Sequence, residues 1–168
     1  MFYRDDKVVY ANYGVCTVSE TDARMSMGGV ERTYYVLLPT RDRGGTVYVP
    51  VDHEELMRPI MNRSEAIELV EHYDDIETDD FTDSNSRTVE DHFKKLLRRC
   101  DCATAVCVFK TMKTRITEQA NRKHLPSSVY TRLLDQAKHQ AASELSAALD
   151  IAEADVPAYI EEHRSAKR

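Results

Sequence analysis

The chain has 168 residues, 42% of them apolar and 31% charged, and 23 Lys/Arg against 29 Asp/Glu give a net charge of −6. That composition is ordinary for a globular protein of one domain or two small ones. No run of about 18 apolar residues is present, which excludes a membrane-spanning helix, and Met1-Phe2-Tyr3-Arg4-Asp5-Asp6 lacks the basic-then-apolar pattern of a secretory signal, so a cytoplasmic location is expected.

The first third reads as β structure. Lys7–Tyr10 and Val15–Val18 form two short strands around a turn at Asn12-Tyr13-Gly14. Met27-Gly28-Gly29-Val30 makes the next turn, into Arg32–Leu38, which is rich in β-branched and aromatic residues. Asp42-Arg43-Gly44-Gly45 turns again into Thr46–Val51. Four short strands predict a small, strongly curved antiparallel sheet or partly open barrel. Pro50 has no backbone donor, so its strand belongs at an edge.

From Ser64 the apolar period becomes helical. Ser64 is expected to cap a helix over Glu65–Tyr73, with Ile67, Val70 and Tyr73 on one face. The acidic stretch 74–85 reads as a loop, either a solvated linker or a mask over the basic helices, and the linker is the preferred reading. A second helix is expected over Thr88–Arg99, with Val89, Phe93, Leu96, Leu97 and Cys100 inward and Lys94, Lys95, Arg98 and Arg99 outward. Asp101 caps a third, with Ala105, Val106, Phe109, Met112 and Ile116 as its apolar stripe. Pro126 or Ser127 opens a long fourth helix striped by Val129, Leu133, Ala137, Ala141, Leu145 and Leu149, and Asp155-Val156-Pro157 starts a short fifth. The expected fold is α+β: a β module over 1–63, then a compact domain of about five helices over 64–168.

Charge is sorted along this plan. Residues 64–85 hold no Lys/Arg and 9 Asp/Glu, whereas residues 86–140 hold 12 Lys/Arg and 5 Asp/Glu. A block of +7 therefore follows one of −9, and the basic helices are the candidate polyanion surface; the competing reading is an ordinary solvated helical face.

Catalytic signatures are missing: there is no glycine-rich phosphate loop, zinc-protease motif or nucleophile elbow, and pairs such as Glu54-Glu55 and Asp79-Asp80 lie in polar segments. The chain is read as a non-enzyme without cofactor or metal. Cys16, Cys100, Cys102 and Cys107 are expected as free thiols, and a zinc or thiol-sensor reading of the last three, near His92, is a minor alternative because paired Cys-x2-Cys spacing is absent.

Asp6-Lys7-Val8-Val9-Tyr10-Ala11-Asn12-Tyr13-Gly14-Val15-Cys16 resembles the N-terminal signature of the CarD/CdnL family of bacterial RNA polymerase-binding transcription regulators. Tyr34-Tyr35-Val36-Leu37, Val47-Tyr48-Val49-Pro50-Val51 and Leu56-Met57-Arg58 resemble its later strand motifs, and Arg132–Lys138 with Glu144-Leu145 its long penultimate helix. The resemblance implies a Tudor-like N-terminal domain that docks on the polymerase β subunit by strand pairing, with Tyr48, Val49 and Pro50 as the contact. It also implies a helical domain that contacts promoter DNA and stabilises the open complex, in a protein expected to be monomeric. Asn85, Arg87, Lys94, Lys95, Arg98 and Arg99 are the DNA-binding candidates. The family's wedge Trp is absent: Ser84-Asn85-Ser86-Arg87-Thr88 occupies its place and the chain has no Trp, so DNA contact is expected to be weak and electrostatic. The alternative is a polymerase-binding adaptor whose helical domain binds another protein.

Overall fold

The computed structural model describes residues 1–41 and 45–165, apart from the side chain of Asn12. The turn expected at Asp42-Arg43-Gly44 lies outside the described residues. The chain divides into two units, Met1–Ile60 and Met61–Arg168, where the sequence reading placed the boundary after residue 63. The architecture is α+β, a Tudor-like antiparallel module followed by helices.

Unit one is a five-stranded sheet of β1 (Lys7–Tyr10), β2 (Gly14–Met27), β3 (Val30–Pro39), β4 (Val47–Pro50) and β5 (Met57–Pro59), in the order β4-β3-β2-β1-β5. All its pairings are antiparallel. Its core collects Val8, Cys16, Val18, Tyr35, Leu37, Val49 and Met57. Register explains the set: Val8 lies opposite Cys16, Val18 opposite Leu37, and Tyr35 opposite Val49, so each pair meets on one face. Cys16 is a core thiol, pushed up to about 12 by burial, and is therefore inert.

Three departures from the sequence reading have physical causes. β2 and β3 run well beyond the short strands expected, because Gly28 and Gly29 (φ +61° and +80°) make the two-residue turn that matches strand twist. Pairing thus continues from Met27 opposite Val30 through polar residues that alternation alone does not mark as strand. Bulges between Val18 and Ala23 bend the ribbon. Val51 leaves the sheet for a 3-10 turn over Val51–Leu56, and the three-residue β5 was read only as a motif.

Unit two holds helices α1 (Arg63–Glu71), α2 (Ser86–Leu97), α3 (Cys102–Asn121), α4 (Ser128–Leu149) and α5 (Val156–His163). Their inward stripes meet in one core that includes Ala66, Val70, Val89, Phe93, Leu97, Ala105, Val106, Met112, Leu133, Ala137, Leu145 and Leu149. The cap of α1 is Asn62 rather than Ser64: its side chain accepts the Glu65 amide at 2.9 Å, and the Glu65 carboxylate accepts the Asn62 amide at 2.7 Å. This reciprocal pair satisfies two donors, which a Ser two residues later cannot do. α2 begins at Ser86 behind the cap Asn85, two residues earlier than expected. Asp101 caps α3 as expected, accepting the Thr104 amide at 2.8 Å. Glu144 is buried on α4, and its carboxylate accepts the Met61 amide at 3.0 Å.

Phe93 is fully buried at the centre of this core. Phe93→Ala is expected to destabilise the helical unit by about 3–5 kcal/mol, against about 1 kcal/mol for Asn62→Ala at the cap. Urea unfolding followed by far-ultraviolet circular dichroism measures both.

Candidate functional site

In the β unit, β4 is outermost and pairs with β3 on one side only among the described residues. Its residues divide by pleat. Val49 is fully buried in the core, whereas Tyr48 on the opposite face is 46% exposed, its ring 6.5 Å from that of Tyr34 at 90°. Of the predicted contact residues, Tyr48 therefore presents a side chain, Val49 only its backbone, and Pro50 an edge position that needs no donor. The Tyr35 hydroxyl donates to Glu54 at 2.9 Å and ties the turn after β4 back to β3. Burial, helped by the neighbouring Glu54, raises the Tyr35 hydroxyl above its ordinary range, so it stays a donor.

In the helical unit, α2 sets its predicted residues apart. Val89, Phe93 and Leu97 point into the core, and Arg87, Lys95, Arg98 and Arg99 are exposed. Lys94 lies at the margin and pairs with Glu90 at 2.8 Å; the same Glu90 oxygen takes Arg132 of α4 at 3.3 Å. Those charges hold Glu90 below the usual carboxylate range, the Lys94 hydrogen bond first. Asn85 is spent locally, its side-chain oxygen accepting the Arg87 amide at 3.0 Å as the cap of α2.

The acidic segment before α2 is a loop, but it is not a solvated linker. Its residues are bolted to α2 and α3 by donors that spacing does not reveal. Lys110 donates to the carbonyls of Tyr73 and Ile76 at 2.9 and 2.6 Å. Arg115 donates to the carbonyls of Phe81 and Asp79 at 2.5 and 3.3 Å. The Thr111 hydroxyl accepts the Asp79 amide at 2.9 Å. His92 of α2 donates its Nε2 proton to Asp79 at 3.0 Å and stacks on Phe81, ring centroids 4.0 Å apart and 14° from parallel.

This strap changes the charge reading. Of the 12 Lys/Arg in residues 86–140, Lys110 and Arg115 hold strap carbonyls, and Lys94 and Arg132 hold Glu90. The first two are committed to carbonyl oxygens and offer no contact. Contact falls to the exposed cations, Arg87 and Lys95 on α2 and Arg98 and Arg99 in the turn that follows it among them.

The cysteine cluster does not assemble. Cys102 Sγ lies against the Ala141 carbonyl and Cys100 Sγ against that of Arg98, and burial pushes the half-buried Cys107 thiol up. Among the described residues no group of three or more His, Cys, Asp or Glu is placed to hold a metal. No helix among them is long and apolar enough to cross a membrane.

A curved sheet with an open edge and an exposed aromatic beside it has the build of a protein-interaction module. Residues 2–61 match the family model of the CarD-like/TRCF RID domain. The match lies on the N-terminal unit and supports an RNA polymerase-interacting, transcription-associated role. No curated protein matches the chain.

The Asp79 carboxyl gives the strap a pH dependence. Burial alone raises its pKa, but the His92 hydrogen bond, the Phe81 amide at 2.8 Å and the charges of His92 and Arg115 outweigh it and hold the carboxyl below its ordinary value. A depressed folded pKa stabilises fully above the unfolded value of about 3.9 and is lost as pH falls through the folded one. The stability gap between wild type and Asp79→Asn is therefore expected to be present above about pH 4.5 and to close as pH falls through the folded pKa, as read from urea midpoints between pH 5 and pH 2.

Proposed function

We propose that the protein is a transcription regulator that anchors on the β subunit of RNA polymerase through the β4 edge, at Tyr48, Val49 and Pro50, and lays the exposed face of α2 on promoter DNA to stabilise the open complex. The observation that carries the anchor is the open β4 edge within a domain matched to the CarD-like/TRCF RID family. Strand addition there supplies main-chain hydrogen bonds, and Tyr48 supplies an aromatic contact beside them.

Arg87, Lys95, Arg98 and Arg99 carry the DNA half of the reading. They neutralise phosphates rather than read bases, and Asn85 contributes as the cap that fixes Arg87 rather than as a wedge. Lys94, held by Glu90, sits at the edge of this face. The open state needs only about 1–3 kcal/mol of contact that the closed state lacks, which a few phosphate contacts made beside an anchored domain supply.

A second reading is favoured by one observation: the strap engages Lys110 and Arg115 and Glu90 pairs with Lys94 and Arg132, so four cations already have partners within the chain, as expected of a helical unit that binds another protein. The two readings part in their salt dependence. Each phosphate contact contributes about 0.9 to the slope of log affinity against log salt.

Tyr48→Glu is expected to abolish binding to the isolated β-subunit lobe while leaving the fold intact, measured by calorimetric titration; wild-type affinity in that variant sinks the β4 anchor. Lys95→Glu/Arg98→Glu is expected to keep polymerase binding and to shorten the open-complex lifetime about tenfold or more, the loss growing as salt is lowered. An unchanged lifetime transfers the helical unit to the protein-binding reading.

A further inference from the structure

Arg115 is built into the helical unit in a way that excludes it from meeting a phosphate itself. Its guanidinium lies between the rings of Phe93 and Tyr130, 5.1 and 5.7 Å from their centroids. One terminal nitrogen donates to the carbonyls of Asp79 and Phe81, and the other is buried without a hydrogen-bond partner. A guanidinium so placed acts through what it grips rather than as a contact of its own.

What it grips leads directly to the start of α2. Phe81 is stacked on His92, two turns into that helix, while the chain must return to its cap at Asn85. From residue 85 to residue 92 the helix advances about 10 Å, and the four peptide steps from Phe81 to Asn85 reach about 13–14 Å at full extension. The connection is short. It is stiffened further by the Asn85 amide, which donates to Asp83 at 2.7 Å, and by the Asn85 oxygen on the Arg87 amide. The hydrophobic core is made by helices on the other side, and the strap adds only the partly buried Ile76 and Phe81 to it.

We propose that Arg115 is a positioning residue for DNA contact: by clamping Asp79 to Phe81 against α2 and α3 it fixes the first turn of α2, and with it the exposed Arg87 that meets the DNA backbone. The proposal rests on the DNA-contact reading above. Arg115 itself touches no nucleic acid, and its effect passes entirely through the strap and the Asn85 cap.

The test uses the full chain with RNA polymerase holoenzyme and a promoter fragment, comparing wild type, Arg115→Gln, Arg87→Gln and the double variant. Hydrogen exchange at the Asp79 and Phe81 amides reads the strap, and exchange at the Val108 and Met112 amides reads the fold. Arg115→Gln is expected to lose protection only in the strap, to shorten the open-complex lifetime on the order of threefold to tenfold, and to lower the salt slope by about one contact. Adding Arg87→Gln should cost nothing more, which a merely structural role for Arg115 does not produce. If Arg115→Gln also weakens α3, Phe81→Ala frees the strap without altering the α3 cation and is held to the same readouts. A freed strap with wild-type lifetime and slope overturns the proposal, as do additive effects of Arg115→Gln and Arg87→Gln. No effect from either Arg87→Gln or Lys95→Glu/Arg98→Glu overturns the DNA reading and the proposal with it, a failure recognisable because those variants leave the strap protected.

Discussion

The constraint on which the helical unit turns is the need of two half-buried cations on α3 for acceptors. Lys110 and Arg115 emerge between helices, where an ammonium or guanidinium left unpaired is costly. Both cations donate to backbone carbonyls of residues 73–81, the chain that runs up to α2. The segment's negative charge draws it toward α3, and its carbonyls make the grip directional. Asp79 then faces the other way, to His92, so one residue is held by its backbone from α3 and by its side chain from α2. A stretch with few apolar residues acquires a fixed path because most of its anchors are polar.

That arrangement explains why the helical plan was legible in the sequence and the strap was not. Apolar residues at three- and four-residue spacing gave α2 to α5 nearly as they stand, since each stripe is buried on one face. Asp101 was legible as a cap, whereas Asn62 was displaced by Ser64 in the reading, although Asn62 and Glu65 bear the spacing of a capping box. Lys110 and Arg115 fall outside the apolar stripe of α3, and only the fold shows that chain from 34 to 37 residues earlier covers them; no local pattern encodes a contact of that separation.

The β unit divides in the same manner. Pro50 marked an edge, and β4 is an edge. β-Branched and aromatic content between turns marks β1 and β3, but the length of the β2–β3 ribbon depends on Gly28-Gly29 and on register, in a region where both faces are polar and alternation is silent. Tyr48, Val49 and Pro50 were grouped as one contact by resemblance. The pleat separates them, because Val49 is committed to the core and Tyr48 is turned outward. On the proposed reading, recognition at this edge is therefore a matter of backbone plus one exposed aromatic side chain, Tyr48.

Net charge describes this chain poorly, because the sites of opposite sign are sorted in sequence and then partly recombined in space. The acidic segment lies against particular donors of the basic helices and holds them with backbone oxygens, while its own carboxylates offset their charge. The number of side chains able to close on a phosphate is thereby reduced. On the proposed reading, firm contact with DNA then requires the local concentration that an anchored neighbouring domain supplies, and the β4 edge is the element suited to provide that anchor.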